Sequence, residues 1–423
     1  MAQPLRVALL SYRGNPHSGG QGVYTRHLAA QLVGLGHSVT VFSGPPYPVL
    51  EPGTVLERVP SLNLYRRRFP FWWPWPWQLR TRIDWLEWGL SMTGQFPEAR
   101  TFSMRVARRL LAGRLGEFDV IHDNQCLGPG LLDLVSAGLP LVATIHHPIT
   151  VDRDLELSHG TTRWKLFTLR RWYSFLEGQI EVARQLRHVI TVSESSKRDI
   201  AAQMGVPVDR MRVVAVGVDH QRFRPHPEIV RVRGRLLTTA SADVPLKGLV
   251  PLLEALAKVR TERPDAHLVV IGKHREGSSL PSTLRRLGLD GAVQFVSGIT
   301  DERVVELYAE CELAVVPSLY EGFSLPAIEA MASGTPLLAT TGGALPEVVG
   351  TDGDTARLVP PGDPGALATA IVDLLGDPEE RARLAEGGRR RVLDRYTWRA
   401  TAEGTVEQYR AALHVQGTGA AGR

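Results

Sequence analysis

Two glutamates in the second half of the chain have the spacing of a ligand-binding pair. Glu321 precedes a predicted helix and Glu329 lies within it, and the segment from one to the other reads EGFSLPAIE. Ser324 is a candidate N-cap, and Pro326 is tolerated in the first turn of a helix. Residues 322–325 would then present backbone N–H groups at a helix N-terminus, where anions bind. Carboxylates at this edge of a sheet would accept hydrogen bonds from sugar or ribose hydroxyls.

Lys247 is a third candidate for this chemistry. It stands in the sequence Pro-Leu-Lys-Gly, just before a predicted helix. A cation there would stabilise negative charge on a ligand. A surface lysine that precedes a helix is the alternative interpretation.

Polar side chains also follow two strands in the first half of the chain. His146 and His147 come directly after one apolar run, and His122, Asp123 and Asn124 end another. Ligands bind at the carboxyl ends of the strands in open α/β sheets. We therefore expect these residues to lie near a substrate, with a hydrogen-bonded role at the strand end as the alternative.

Alternating strands and helices must position these residues. Apolar runs of buried-strand length occur at 6–11, 38–42, 119–122, 141–145 and 189–193, and again near 236 and at 267–272, 293–296, 313–316 and 336–340. Helical spacing between several of these runs predicts parallel sheets and an α/β fold.

The length of 423 residues predicts two or three domains, because single cores stop growing near about 250–300 residues. The Pro-broken, polar stretch 222–227 is typical of a linker. We assign residues 1–217 to an N-terminal domain, 218–396 to a C-terminal domain, 397–414 to a final helix and 415–423 to a disordered tail.

Composition excludes several classes of protein. Apolar residues make up 43% and charged residues 22% of the chain, which is ordinary for a globular protein. A net charge of +5 is small for this length and gives no argument for nucleic acid as a partner. No apolar run is long enough to span a membrane, and the N-terminal run is too short for a secretory signal, so we expect a cytoplasmic protein. The two cysteines have no metal-ligand spacing, and we expect two unpaired thiols.

The glutamate pair, with seven residues between, resembles the Glu-x7-Glu signature of retaining nucleotide-sugar glycosyltransferases with the GT-B fold. The large fourth family of glycosyltransferases is the nearest match. Gly-Gly-Ala-Leu-Pro-Glu at 342–347 resembles that family's Gly-Gly-x-Pro-Glu turn, Gly-Gly at 19–20 its N-terminal loop, and Tyr-Thr-Trp at 396–398 the start of its last helix. The resemblance implies two Rossmann-like domains that face each other across a cleft, with the last helix returning to the N-terminal domain.

The resemblance also implies roles for individual residues. Glu329 would bind the ribose hydroxyls, Glu321 the donor sugar and Lys247 the diphosphate, and the catalytic residues would be His146, Lys247 and Glu321. The implied donor-binding residues are Gly19, Gly20, Lys247, Val296, Gly298, Glu321, Gly322, Phe323, Ser324, Leu325 and Glu329. The acceptor-side candidates are His122, Asp123, Asn124, His147, Trp72 and Trp73.

The implied reaction moves a hexose from a nucleotide-diphosphate sugar to a hydroxyl of a glycan, lipid-linked or small-molecule acceptor. The family's favoured mechanism is front-face attack with retention, in which the leaving phosphate takes the acceptor proton. It requires no cofactor and no essential metal. The sequence itself names neither the sugar, the base nor the acceptor.

One departure from the family pattern keeps other functions open. The family has an arginine six residues before the lysine, whereas this chain has Ser241. A catalytically inactive nucleotide-sugar-binding scaffold is therefore one alternative, and an inverting GT-B transferase with His17 as base is another. A dehydrogenase is disfavoured, because the first turn lacks a G-x-G-x-x-G motif and the second strand is not followed by a ribose-binding acid.

An aromatic and basic segment lies between the first strands. Residues 58–83 contain six arginines and no acid, and six of the nine tryptophans fall within 72–88. Three interpretations stay open. Residues 66–82 could contact the inner face of a membrane, the tryptophans could form a carbohydrate platform, or the segment could be an insertion packed on its own domain.

Overall fold

The computed structural model describes residues 3–15, 20–64, 74–113, 116–158, 162–240, 244–272 and 280–420. The chain forms two compact units. The first unit contains residues 1–192, 196–214 and 401–423, and the second contains residues 193–195 and 215–400.

The first unit is built on a seven-stranded parallel sheet. Its strands are β1 (Arg6–Ser11), β2 (Ser38–Ser43), β3 (Val55–Arg58), β4 (Val120–Asn124), β5 (Leu141–Ile145), β6 (Val189–Thr191) and β7 (Met211–Val213). They lie in the order β3-β2-β1-β4-β5-β6-β7. The strand order reverses between β1 and β4, which pair directly with Leu10 beside Asp123. Such a switch point leaves a crevice at the carboxyl ends of the strands.

The second unit contains a six-stranded parallel sheet of the same design. Its strands are β8 (Arg235–Thr239), β9 (His267–Ile271), β10 (Val293–Val296), β11 (Leu313–Val316), β12 (Leu337–Thr340) and β13 (Arg357–Val359), in the order β10-β9-β8-β11-β12-β13. Its switch point lies between β8 and β11, directly before the segment that carries Glu321.

Helices connect the strands in both units. Those that begin in the first half are α1 (Gly20–Gly34), α2 (Arg82–Met92), α3 (Glu98–Leu111), α4 (Gly130–Ser136), α5 (Thr150–Ser158), α6 (Arg163–Trp172), α7 (Phe175–Gln185) and α8 (Glu194–Met204). The others are α9 (Leu249–Glu262), α10 (Leu280–Arg286), α11 (Asp301–Glu310), α12 (Leu325–Ala332), α13 (Leu345–Val349), α14 (Pro364–Gly376), α15 (Pro378–Arg395) and α16 (Trp398–Ala420).

The apolar runs form the cores of the two units. Central strands β4 and β5 are buried at every position, as are β11 and β12 in the second unit. Parallel strands buried on both faces have this near-continuous apolar pattern. The predicted α/β fold with two Rossmann-like sheets is confirmed.

Three strands were not predicted from the sequence. β3, β7 and β13 have only three or four residues, and each carries an arginine or a glutamate. They lie at sheet edges, where one side of the strand has no neighbour to bury it. A short strand of mixed polarity therefore lacks the apolar run that identifies a central strand.

The final helix differs from the sequence prediction. It extends from Trp398 to Ala420, six residues beyond the predicted end at 414, and residues 421–423 of the predicted tail lie outside the described residues. Each residue added to an existing helix gains one hydrogen bond, which allows the glycines in this stretch to be helical. Residues 401–423 group with the first unit. Across the described ranges, no helix is both long and apolar enough to cross a lipid bilayer.

Candidate functional site

An ion pair between Lys247 and Glu321 lies at the centre of the candidate site in the second unit. Lys247 Nζ is 2.8 Å from Glu321 Oε1 and 3.1 Å from Oε2. Ser318 Oγ donates a hydrogen bond of 2.7 Å to the same Oε1. Glu321 is only 8% exposed, whereas about a third of the Lys247 side chain is accessible. The structure thus brings together two of the residues that the sequence singled out.

Two glycines allow the backbone to approach closely enough to form this pair. Gly248, at a φ of +64°, follows Lys247, and a Cβ there would lie 1.9 Å from the carbonyl oxygen of Pro317. Gly343, at a φ of +61°, lies against Glu321, where a Cβ would be 2.3 Å from the carbonyl oxygen. Both positions therefore require glycine.

Ser324 adopts a strained conformation at the start of α12. Its φ is +94° and its ψ is +87°, in a region that residues with a side chain rarely occupy. It occupies the N-cap position as predicted, but its side chain makes no capping hydrogen bond, so that part of the prediction is wrong. Its buried Oγ has no hydrogen-bond partner in the part of the chain that the structure describes. Strain combined with an unsatisfied hydroxyl is typical of a ligand site.

Glu329 lies one turn into α12, half-buried. Tyr308 Oη donates a hydrogen bond of 3.2 Å to Glu329 Oε2. Burial raises the pKa of Glu329 to about 7, and the Tyr308 hydrogen bond opposes that rise. The Glu329 side chain can therefore gain or lose a proton near neutral pH, which sets how it binds a hydroxyl.

The other predicted donor-side residues occupy different environments. Gly322 is half-buried, and its carbonyl oxygen accepts a hydrogen bond of 2.7 Å from Ser193 Oγ within the second unit. Phe323 is 7% exposed and its ring centroid lies 5.6 Å from that of Tyr396. Leu325 is the first residue of α12.

Three further predicted residues mark the ends of elements. Val296 is the last residue of β10, and Gly298 is exposed in the loop after it. Gly20 is the first residue of α1 in the first unit.

In the first unit, the side-chain amides of Asn124 and Gln125 hold His146. Its Nε2 is 2.7 Å from Asn124 Oδ1, and its backbone N–H donates to Gln125 Oε1 at 2.8 Å. The Tyr24 ring meets it edge-on, with centroids 4.7 Å apart. Burial lowers the pKa of His146 to about 3, with a further contribution from the neighbouring His147. The imidazole is therefore neutral at physiological pH and can exchange hydrogen bonds with a hydroxyl but cannot supply a positive charge.

The prediction that His122 contacts the acceptor is wrong, because its side chain has no exposed surface. It is 0% exposed, and both ring nitrogens are occupied at 2.7 Å, Nδ1 by Tyr409 Oη and Nε2 by Thr144 Oγ1. Burial lowers its pKa to about 3. Tyr409 belongs to α16, so this histidine anchors the last helix within the first unit.

Asp123 and Asn124 are also 0% exposed, which corrects their assignment as acceptor contacts. Asp123 Oδ2 accepts the backbone N–H groups of Cys126 and Leu127, each at 3.0 Å. Burial raises the pKa of Asp123 to about 7. Asn124 Nδ2 donates to Thr25 Oγ1 at 3.0 Å, and Asn124 Oδ1 accepts a hydrogen bond from His146 Nε2. Asn124 is therefore a positioning residue for His146.

His147 is half-buried, and its Nε2 lies 3.0 Å from Asp152 Oδ2. The remaining predictions fall on residues that the structure does not describe. Those residues are Gly19, Trp72, Trp73, His17 and Ser241, which lie outside the described residues. Within the described ranges, no three His, Cys, Asp or Glu side chains form a group that could hold a metal ion.

The sequence analysis missed several partners of the site residues. Ser318 and Tyr308 bind the two glutamates, and Gln125 holds His146. Gln125 has a φ of +52°, and its side-chain amide bonds the backbone of His146 and His147 directly after β5. Serine, tyrosine and glutamine are too common in such positions to stand out in a single sequence.

Glu347 was also missed as a functional contact. Its Oε1 accepts the backbone N–H of Glu194 at 2.8 Å and its Oε2 that of Ser195 at 3.1 Å. All three residues belong to the second unit. The signal that could have found it is its place in the 342–347 turn, whose last residue is an acid.

Two family matches cover most of the chain. Residues 19–217 match the Glycosyl transferase 4-like domain, and residues 228–391 match Glycosyl transferases group 1. The chain is 49% identical over 410 residues to the MMP α-(1→4)-mannosyltransferase of Mycolicibacterium hassiacum, which covers 97% of this chain and 98% of that protein. It is 30% identical over 443 aligned positions to D-inositol 3-phosphate glycosyltransferase 2 of Catenulispora acidiphila, with 97% and 96% covered.

Solved structures show the same fold. Sucrose-phosphate synthase from Thermosynechococcus elongatus aligns with a TM-score of 0.73 at 22% identity, over 97% of this chain and 100% of that one. The Anabaena protein HepE, solved in complex with UDP-glucose, aligns with a TM-score of 0.70 at 18% identity, over 96% and 100%. Together with the relative at 49% identity, these matches show that this chain belongs to the GT-B-fold nucleotide-sugar glycosyltransferases of the fourth glycosyltransferase family.

Proposed function

We propose that this glycosyltransferase moves a mannosyl group from a nucleoside diphosphate mannose to a hydroxyl of an oligosaccharide, with retention of configuration and formation of an α-(1→4) bond. The activity named for the Mycolicibacterium hassiacum relative supports both the sugar and the linkage. Its similarity extends over nearly the whole of both chains, so the proposal does not depend on one domain alone.

The observation that carries the proposal is the ion pair of Lys247 and Glu321. A partly accessible lysine side chain beside a buried glutamate is suited to a ligand that carries both hydroxyls and phosphates. The ammonium group would stabilise the charge that develops on the leaving diphosphate. The carboxylate, oriented by Ser318, would accept hydrogen bonds from hydroxyls of the donor sugar.

The start of α12 would hold the nucleotide part of the donor. A diphosphate oxygen would accept a hydrogen bond from Ser324 Oγ and from backbone N–H groups at the helix N-terminus, where the helix dipole favours anions. Glu329, one turn later, would accept hydrogen bonds from the ribose hydroxyls when it is ionised. We therefore assign the donor to the second unit.

The transfer itself would be a front-face substitution at the anomeric carbon. The bond from C1 to the diphosphate oxygen breaks, the acceptor oxygen forms its bond to C1 on the same face, and the acceptor proton passes to the leaving phosphate. Cationic and dipolar groups of the chain stabilise the leaving group, so we propose that no metal is required. We assign the acceptor to the first unit, where the neutral His146 ring would hydrogen-bond a sugar hydroxyl.

A donor panel tests this proposal. Purified protein is incubated with the UDP, GDP and ADP derivatives of mannose and glucose, with α-(1→4)-linked manno-oligosaccharides as acceptors, and nucleoside diphosphate release is measured. We expect release from one mannose donor, a new α-linked product by NMR, and unchanged rates in EDTA. A β-linked product would contradict retention, and a glucose preference would contradict the assigned sugar.

Absence of release has a separate interpretation. Calorimetric titration with the nucleoside diphosphates would then show whether the chain binds nucleotide without turnover, as the inactive-scaffold hypothesis predicts. Membrane contact through residues 66–82 stays a prediction. Sedimentation with anionic phosphatidylglycerol vesicles tests it, and stimulation of transfer by the vesicles would favour a lipid-linked acceptor.

A further inference from the structure

The first unit contains a large cavity that the transfer chemistry does not explain. Its volume is about 840 Å³, within the range of roughly 300–1,000 Å³ that small-molecule sites occupy. The cavity lies between the end of β3, the segment before α2 and the second half of α3. Its lining includes Glu57, Ser61, Trp77, Gln78, Arg80 and Arg108.

Two exposed, stacked indole rings lie beside this cavity. Trp75 and Trp77 stack with centroids 4.8 Å apart and an interplanar angle of 8°. Each is 61% exposed, although tryptophan is normally well buried. Trp77 lines the cavity and therefore supplies an apolar surface beside its polar walls. The C–H face of a pyranose ring packs on such a surface, while its hydroxyls need donors and acceptors nearby.

Hydrogen bonds fix the backbone that carries the two rings. The backbone N–H of Trp75 donates to Gln78 Oε1 at 2.8 Å, and the backbone N–H of Gln78 returns to the Trp75 carbonyl at 2.8 Å. Arg80 Nε donates to the Trp77 carbonyl at 2.9 Å. Exposed aromatic residues with a fixed backbone lose little conformational entropy when a ligand binds.

The neighbouring wall is fixed by a charged network. Asp84 Oδ2 accepts the backbone N–H groups of Arg80 and Thr81, at 3.1 and 2.8 Å, and Asp84 Oδ1 lies 2.7 Å from Arg105 Nη2. Arg105 also lies 2.6 Å from Glu87, which is 1% exposed. These contacts order the cavity wall before any ligand arrives.

Hydrogen-bond donors remain available at the cavity. Arg109 lies 3.0 Å from Glu57, but no acid of the described residues lies within 4 Å of the exposed Arg108 guanidinium. The walls thus mix arginines, carboxylates, amide and hydroxyl groups around one aromatic face. This mixture of donors and acceptors matches the hydroxyls of a chain of sugar rings, whereas an anionic lipid surface would leave the acceptors of Glu57 and Asp84 unused.

We propose that this cavity, with Trp77 as its stacking surface, is a binding site for an oligosaccharide segment of the acceptor. It holds sugar units other than the one that receives the new bond, so it determines the affinity for long acceptors. The proposal rests on the proposed function for the identity of the sugar, which we take to be α-(1→4)-linked mannose.

Direct binding tests the site without any turnover. Calorimetry measures the affinity of the full chain for α-(1→4)-linked manno-oligosaccharides of two to eight units, with no donor present. We expect affinity to increase with length in the wild type. Trp77→Ala should weaken binding of the longest chain at least tenfold, and Arg108→Gln should weaken it severalfold. Because both side chains are exposed, neither variant should unfold the protein.

Trp164→Ala is the matched control. Trp164 is 73% exposed, even more than Trp77, and it does not line the cavity. We expect it to bind oligosaccharides as the wild type does. Equal losses in the Trp77 and Trp164 variants, wild-type affinity in both cavity variants, or no oligosaccharide binding by the wild type would each overturn the proposal.

Transfer assays separate this site from the proposed function. If the enzyme is a mannosyltransferase, Trp77→Ala should raise KM for the longest acceptor while kcat and the KM for the disaccharide stay unchanged. If no donor is turned over but the cavity variants still lose oligosaccharide binding, the site stands and the proposed function fails. If transfer occurs and Trp77→Ala instead loses only its sedimentation with phosphatidylglycerol vesicles, the cavity proposal fails and membrane contact replaces it.

Discussion

The polar residues at the two switch points of this enzyme are organised in opposite ways. In the second unit, Lys247 and Glu321 form an ion pair, which we call the ionic pair. The lysine side chain is partly accessible, and the hydroxyl of Ser324, three residues after Glu321, has no partner among the described residues. In the first unit, the histidine cluster consists of two neighbouring sets of hydrogen-bonded neutral groups, His122 with Thr144 and Tyr409, and His146 with Asn124.

The difference indicates how each unit uses its polar groups. A ligand can compete for the ionic pair, because a phosphate forms strong charge-assisted hydrogen bonds with an accessible lysine side chain. His122 offers nothing to a ligand, since both its ring nitrogens are occupied and its pKa is far below neutral. The histidine cluster therefore supports structure at its centre and presents only His146 at its edge.

The largest expected effect comes from breaking the ionic pair. Glu321→Gln should lower kcat/KM about 100-fold, because loss of one preorganised contact to the transition state costs this much in comparable sites. Lys247→Ala should lower kcat at least tenfold. Steady-state release of nucleoside diphosphate measures both, and circular dichroism should show an unchanged fold.

Lys258→Ala is the matched control for the ionic pair. Lys258 is exposed on α9 and should be replaceable without loss of activity. If the folded Glu321→Gln and Lys247→Ala proteins both keep the wild-type kcat/KM, the ionic pair is not part of the active site. The contrast between the two units would then no longer hold.

The next largest effect comes from opening the histidine cluster. Tyr409→Phe leaves His122 Nδ1 buried without its partner, which costs about 1–3 kcal/mol of unfolding free energy. Urea denaturation followed by a first-unit probe measures the loss. Tyr47→Phe should change nothing, because Tyr47 Oη has no hydrogen-bond partner among the described residues. If Tyr409→Phe is equally silent, the cluster does not anchor α16.

The pH dependence of stability sharpens the same contrast. The pKa of His122 is about 3 when folded, below its usual 6.5, so the unfolded state binds the proton first and stability falls as pH decreases through 6.5. From pH 7 to pH 5 this residue should contribute a loss of about 2 kcal/mol. His122→Gln should remove that part of the pH dependence in urea titrations at the two pH values. An identical slope in both proteins would contradict a buried neutral ring.

The smallest effect concerns nucleotide binding beside the ionic pair. The pKa of Glu329 is raised to about 7, so its ionised fraction increases between pH 6 and pH 8. If Glu329 accepts hydrogen bonds from ribose, nucleoside diphosphate affinity should increase up to about tenfold over this interval. Calorimetry should show a flat profile for Glu329→Gln. Tyr308→Phe removes the hydrogen bond that opposes the rise in pKa, so its profile should move to higher pH.

The Glu302→Gln variant is the control for this titration. Glu302 is exposed in the first turn of α11, and its pKa is lowered by hydrogen bonds, so it stays ionised across the interval. Its variant should keep the pH dependence of the wild type. A pH-dependent Glu329→Gln protein would show that another group governs nucleotide binding.

Much of the fold could be predicted because its central strands are apolar throughout. β5, β9, β10 and β11 begin and end within a residue of their predicted bounds. Of the four edge strands only β10 was predicted, since β3, β7 and β13 are short and of mixed polarity and so lack a continuous apolar run. Placing the candidate residues at the two switch points also required the strand order, which cannot be read from the sequence.

The sequence by itself determined the elements, the glutamate motif and the family, because these depend on local spacing along the chain. Only the tertiary structure decided which polar residues meet. It pairs Lys247 with Glu321 across 74 positions and His122 with Tyr409 across 287 positions. It also decided that His122 is closed to ligands while the Lys247 side chain is partly accessible. The burial of a side chain and its hydrogen-bond partners depend on segments far apart in the chain, so a local sequence pattern cannot predict them.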